Sequence, residues 1–210
     1  RAYYEKALSL DPENIMALVD MGNVCFKLFD YETALELYKK VFALNPDNKI
    51  VAICIGNTLT LMKEREKAYN YFEKALTMEG CNYKAYICYA IALSEFKENE
   101  MAIEMYKRAI EYSPKEINAY ILLANLYTNL NRLDEAMEMY KKALQLSPNN
   151  AQTYMLLGNA HYLQSDIEKA ISSYRAAIKI EPDNDEHKLV YYQVMDEYID
   201  KIRRGELENK

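Results

Sequence analysis

The sequence predicts an all-α solenoid of antiparallel helix pairs, and three observations predict it. Pro12, Pro46, Pro114, Pro148 and Pro182 share one register with a period of 34 residues, and Gly80 fills the single vacancy in that series. Small residues recur in the same phase, and so does one aromatic position per period. A fixed period of this length in a helix-rich sequence means that each repeat is one supersecondary unit, which buries its apolar face only by stacking on its neighbours. Half of the 210 residues are apolar, with five Gly and five Pro, so the chain has the composition of a folded protein.

With the Pro set as position 32, five full repeats follow, over 15–48, 49–82, 83–116, 117–150 and 151–184. Each holds a helix A and a helix B joined by a short turn. The chain opens at position 21 of an incomplete repeat. Residues 1–14 therefore hold a helix B alone, with Tyr4, Ala7 and Pro12 at positions 24, 27 and 32. A helix B without its helix A exposes an apolar face, which implies further repeats upstream in a longer protein.

Within the full repeats, position 8 is Gly22, Gly56, Ala90, Ala124 and Gly158. Position 20 is Ala34, Ala68, Ala102, Ala136 and Ala170, and position 27 is Val41, Ala75, Ala109, Ala143 and Ala177. Small side chains let helix backbones approach closely, and a large residue there would cost roughly 1–3 kcal/mol of overpacking strain. Position 24 is Tyr38, Phe72, Tyr106, Tyr140 and Tyr174, rings expected to fill the gap between one repeat and the next. At position 17, Tyr31, Leu133 and Ile167 can staple the start of helix B, whereas Arg65 and Asn99 cannot. Ser165 and Glu168 have the spacing of a capping box, and the Lys63–Glu66 segment has no comparable cap. With Gly80 in place of the rigid Pro, repeats 2 and 3 are expected to open most easily.

After Asn184 the pattern fails, because position 8 would be Tyr192 and no second helix follows. Residues 185–204 read as a single capping helix that covers the last repeat and turns a polar face to water. Residues 205–210 read as a helix stop and a frayed tail.

These recurring positions resemble the tetratricopeptide repeat family over residues 1–184. One family preference, Trp at position 4, is replaced by Leu18, Ala52, Tyr86, Tyr120 and Tyr154. The resemblance implies a right-handed solenoid whose helices A line a concave groove, with positions 2, 5, 6, 9, 12 and 13 pointing into it. Position 5 is Val19, Ile53, Ile87, Ile121 and Met155, and position 6 is Asp20, Cys54, Cys88, Leu122 and Leu156. Position 9 is Asn23, Asn57, Ile91, Asn125 and Asn159. The expected peptide-binding residues are Val19, Asn23, Ile53, Asn57, Ile87, Ile91, Ile121, Leu122, Asn125, Met155, Leu156 and Asn159. Positions 5 and 6 make an apolar strip on helices whose buried side is also apolar, as in Ile50–Gly56, so something should cover it. The expected occupant is an apolar or amphipathic peptide or helix of a protein partner, with the Asn amides bonding its backbone.

Co-chaperones of this family grip acidic carboxyl tails with Lys and Asn at positions 5 and 9, Asn at position 6 of the next repeat, and Lys and Arg at positions 2 and 6 of the third. Asn23 and Lys84 match that clamp, but Val19, Cys54 and Cys88 do not. A carboxylate there would be buried largely unpaired, so chaperone-tail binding is rejected.

Other chemistry is absent from the sequence. The net charge is −6 with acids and bases interleaved, and no basic face of the kind that binds nucleic acid stands out. No apolar run is long enough to span a membrane. Cys25, Cys54, Cys81 and Cys88 read as reduced thiols, which favours a cytoplasmic setting. His161 and His187 are the only histidines and no CxxC occurs, so neither metal nor cofactor is expected. Glu36–Lys40, Glu104–Arg108 and Glu138–Lys142 are expected as surface pairs and not as catalytic carboxylates. His161, at position 11, is expected to be a hydrogen-bonded interior residue. The recurring basic stripe Lys39, Lys40, Lys74, Lys107, Arg108, Lys141, Lys142 and Arg175 is expected to offset helix C-terminal dipoles on a wet face. The reading is a non-catalytic scaffold. Two rivals stand beside it: the targeting region of a larger enzyme, resembling glycosyltransferases of the O-linked N-acetylglucosamine type, and a self-associating structural subunit.

Overall fold

The computed structural model describes residues 2–80 and 83–205. Among the described residues are twelve helices and no strand. They are α1 (Ala2–Leu10), α2 (Ile15–Lys27), α3 (Tyr31–Leu44), α4 (Lys49–Leu61), α5 (Arg65–Thr77), α6 (Tyr83–Glu95), α7 (Asn99–Tyr112), α8 (Ile117–Asn129), α9 (Leu133–Leu146), α10 (Ala151–Leu163), α11 (Ile167–Ile180) and α12 (Asp185–Arg203). The helices group into two compact units, residues 1–114 and residues 115–210. Cys81 and residues 206–210 of the expected tail lie outside the described residues.

In the first unit α2 packs on α3, α4 on α5 and α6 on α7, with α3 against α4, α5 against α6 and α4 against α6. In the second, α8 packs on α9 and α10 on α11, with α9 against α10 and α11 against α12. This is the α-solenoid architecture expected from the 34-residue period.

Each first helix begins at a side-chain cap wherever the sequence supplies one. Asn14, Asn48, Asn150 and Asn184 accept the backbone N–H of Ala17, Val51, Thr153 and His187 at 3.0, 3.1, 2.9 and 3.2 Å. These bonds satisfy donors that the first helical turn leaves orphaned. Among the second helices, Asp30 caps α3 through Thr33 and Asp166 caps α11 through Lys169. Glu64, Glu98 and Arg132 give α5, α7 and α9 no side-chain cap. The expected capping box at Ser165 is therefore corrected: the cap is Asp166, and Ser165 sits one residue before that cap at φ 66°. The uncapped set is also wider than expected, because Leu133 follows Arg132, which cannot accept a backbone N–H.

The turn inside every pair places one left-handed residue at position 15: Phe29, Lys63, Lys97, Asn131 and Ser165, with φ between 57° and 66°. The next residue donates its N–H five residues back, as Asp30 to Cys25, Glu64 to Leu59 and Asp166 to His161. That is the Schellman closure of a helix end, normally signalled by glycine. No glycine marks it here, so the sequence reading passed over it. Gly80 takes φ 63° instead, where α5 ends at Thr77 and the Pro is missing.

The small positions do what spacing implied. Ala34, Ala68, Ala102, Val41, Ala75 and Ala109 are fully buried in the first unit, and Ala136, Ala170, Ala143 and Ala177 in the second. The position-24 rings lie first against their own repeat, which refines the expectation. A Cβ added to Gly22 would stand 2.6 Å from Tyr38, one on Gly56 2.8 Å from Phe72, and one on Gly158 2.5 Å from Tyr174. Phe72 also reaches the next pair, stacking on Tyr89 at 5.3 Å.

The outer face of the last helix is mixed: Asp185, Glu186, Gln193, Asp196, Asp200 and Arg203 are exposed, but apolar residues lie among them. His187 and Val194 of α12 are buried toward α11, but Leu189, Tyr192 and Ile199 are 58%, 59% and 37% exposed.

Candidate peptide-binding faces

In the first unit, position 9 of α2 and α4 does different work. Asn23 Oδ1 accepts the Tyr38 hydroxyl at 2.8 Å. With its oxygen held inward, the Asn23 amide is free to present its two N–H donors outward. Position 24 of the next repeat is Phe72, which has no hydroxyl. Asn57 there turns its Nδ2 to Cys88 Sγ on α6 at 3.8 Å. Ile91 replaces Asn on α6 and is exposed. Val19 and Ile53 are half-buried, whereas Ile87 is only 9% exposed. The expectation that Ile87 points into an open groove is corrected: its side chain is buried, on a helix that contacts α4, α5 and α7.

In the second unit, Tyr140 donates to Asn125 Oδ1 at 2.6 Å and Tyr174 to Asn159 Oδ1 at 2.8 Å. Thr128 shares the Tyr140 hydroxyl at 3.3 Å. Ile121, Leu122 and Leu156 are half-buried, and Asn159 is exposed. Met155 is the second correction, because it is buried in a core with Ile171, Tyr174 and Val194. The α12 helix covers it, which the sequence pattern did not foresee at position 5.

The groups on these faces are not poised for catalysis. Burial pushes the Cys54 thiol up to about 11, with Cys88 close by adding to the effect. Burial also raises Cys88, against the opposing pull of the Asn57 hydrogen bond and Lys84. Both thiols stay protonated at neutral pH and are poor nucleophiles. Burial pushes Tyr106 and Tyr174 up to about 12. His161 is buried as expected, but its Nδ1 lacks a hydrogen-bond partner among the described residues, so the expected interior hydrogen bond is corrected. Burial lowers its pKa, Lys141 and Lys169 lower it further and Asp166 opposes them, so the ring is held neutral. Among the described residues no group of three or more potential metal ligands gathers.

The basic stripe is exposed. Of its expected pairs, Glu104–Arg108 forms at 2.6 Å and Glu138–Lys142 at 2.7 Å. Lys107 and Arg108 line a shallow depression with Tyr86, Tyr112, Glu104 and Glu111, where the carboxylates offset the cations. Among the described residues no helix is long and apolar enough to cross a membrane.

Comparison with known proteins agrees with this architecture. The family model for a TPR repeat matches residues 124–165, and that for the tetratricopeptide repeat matches residues 151–184. The model for ChAPs (Chs5p-Arf1p-binding proteins) matches residues 18–140, more than half of the chain. No curated protein matches the chain. Among solved structures, yeast Tom70 is similar at 21% identity and a TM-score of 0.78, over 95% of this chain and 44% of that one. PilW, a type IV pilus biogenesis factor, is similar at 21% identity and a TM-score of 0.76, over 90% of this chain and 88% of that one. YrrB, a TPR protein with an unusual peptide-binding site, is similar at 22% identity and a TM-score of 0.61, over 89% of this chain and 96% of that one. At these identities the likeness shows the fold alone. Repeats of this kind are typically non-catalytic scaffolds for protein–protein interaction. The helix pairs, the position-8 and position-24 packing and the family matches together place the chain in the tetratricopeptide repeat family and, through residues 18–140, in the ChAPs family.

Proposed function

We propose that the chain is a non-catalytic scaffold whose first helices, in each of the two units, offer positions 5, 6 and 9 to an apolar or amphipathic segment of a partner protein. One observation carries this reading. Tyr38, Tyr140 and Tyr174 occupy the oxygens of Asn23, Asn125 and Asn159, so three amides keep their N–H donors for an outside acceptor. Beside them lie the half-buried Val19, Leu122 and Leu156. Within each unit, such donors beside apolar side chains suit the backbone carbonyls and apolar side chains of a bound segment. That YrrB is a TPR protein with a peptide-binding site supports the reading by analogy. Cys25, Cys54 and Cys88 are in no disulfide, which supports a reducing, cytoplasmic setting.

The test is capture of partners from source cells by three proteins, with circular dichroism as the folding control. Asn125→Ala with Asn159→Ala should weaken capture about 5- to 150-fold, since two hydrogen bonds of about 0.5–1.5 kcal/mol each are lost. Lys107→Glu with Arg108→Glu, on the exposed stripe, should leave capture intact. A result in which the Asn variant keeps every partner and the stripe variant loses them ends this reading and moves binding to the basic stripe.

A further inference from the structure

The outer face of α12 is self-complementary. Asp185, Lys188, Leu189, Tyr192, Asp196, Ile199, Asp200 and Arg203 fall within an arc of about 120° on a helix of 100° per residue. Opposite them, His187 and Val194 are buried. The face therefore has an apolar centre of Leu189, Tyr192 and Ile199, all exposed, with charges at both ends.

We infer that this face binds a second copy of the chain, through antiparallel pairing of the two α12 helices. Centred midway between Tyr192 and Asp196, such a pairing sets residues level by a simple rule. Leu189 lies level with Ile199 of the second copy, and Tyr192 with its Asp196. Asp185 lies level with Arg203 of the second copy, and Lys188 with its Asp200. Each end of the interface then holds two acids and two bases. Within one copy, Lys188 already pairs with Asp185 and Arg203 with Asp200, both at 3.2 Å, so each end brings a pre-formed ion pair to its opposite number. A parallel pairing would set Asp185 against Asp185 and Arg203 against Arg203, and is disfavoured. The antiparallel arrangement also opposes the two helix dipoles. The patch is used identically by both copies, as a closed two-fold interface requires. One helix about 28 Å long gives a small interface, so the dimer forms weakly and reversibly. This inference is independent of the peptide-binding reading, because it uses none of the residues assigned there.

The test is sedimentation velocity of the 210-residue chain over concentrations from about 5 to 500 μM, a range suited to a weak dimer. The expected result is a mass that doubles toward the upper end. Tyr192→Glu, at an exposed position, should keep the chain monomeric throughout with unchanged helix content. Asp185→Arg alone and Arg203→Asp alone should each weaken the dimer, by setting like charges level with each other. Mixing those two variants should restore it as a heterodimer, because each then offers the other its missing opposite charge. A wild-type chain that stays monomeric across the range overturns the inference. So does a dimer that survives Tyr192→Glu, or a mixture of the two charge variants that fails to associate more than either alone.

Discussion

In the α10–α11 pair, Tyr174 donates its hydroxyl to Asn159, its ring lies against Gly158, and Asp166 caps the second helix. In the α4–α5 pair, Phe72 lies against Gly56 in the same way, but it has no hydroxyl and Glu64 leaves the second helix uncapped. Asn57, without a tyrosine to hold it, turns to Cys88 on α6. Aromatic contacts replace polar ones at that junction: Phe72 stacks on Tyr89, and Tyr69 meets Tyr89 and Phe96 edge-on at 5.4 and 5.7 Å. One oxygen atom at position 24 thus decides whether the position-9 amide stays with its own pair and faces outward, or ties its pair to the next. The α6–α7 pair shows the reverse loss, since Tyr106 has its hydroxyl but position 9 is Ile91 in place of Asn.

The largest effect should come from the packing that both pairs share. Gly158→Val would drive a branched side chain into a ring only 2.5 Å from the first added carbon. It should lower stability by about 1–3 kcal/mol in urea denaturation, as overpacking does. Ala124→Gly, whose site already carries a Cβ, should lose only about 1 kcal/mol of helix propensity. Equal losses at both would mean that the Gly–ring contact is not tight.

A middle-sized effect should separate the two pairs directly. Tyr174→Phe makes α10–α11 resemble α4–α5 and should cost about 0.5–1.5 kcal/mol at neutral pH. Alkali should reverse the ranking. Burial raises the folded pKa of Tyr174 from 10.0 to about 12, so the native state holds a proton that the unfolded state releases first. That stability is complete below the unfolded value and is lost as pH rises through the folded one. The Phe variant should therefore lose less stability than wild type between those two values. Parallel stability–pH curves would break the argument.

The smallest effect concerns the cap. Glu64→Asp gives α5 the residue that caps α3 and α11, and should stabilise by about 0.5–1 kcal/mol. Amide exchange at 64–68 should slow toward the rates at 166–170. The same measurement sharpens the expectation of a weak centre, because the α9 start near Arg132 should exchange as fast as those of α5 and α7.

The sequence by itself determined the repeat, the helix pairs and the tight positions. These follow from local rules: a proline ends a helix, and a small residue recurs wherever two backbones touch. Gly22, Gly56 and Gly158 could be read because the constraint acts at a fixed distance along the chain. The resemblance located the groove positions, but tertiary structure decided which of them are open. Ile87 and Met155 look like Val19 and Ile121 in the pattern, yet neighbouring helices enclose the first two and leave the others half-exposed. The left-handed turns at Phe29, Lys63, Lys97, Asn131 and Ser165 were equally hidden, because the helix closure imposes the conformation without asking for glycine. The outer face of α12 shows the same limit from the other side. Its composition is as charged as a capping helix should be, and only the packing of Val194 and His187 reveals that Leu189, Tyr192 and Ile199 are turned outward. Which face of an amphipathic helix is buried depends on what the chain brings beside it, and that contact lies many residues away.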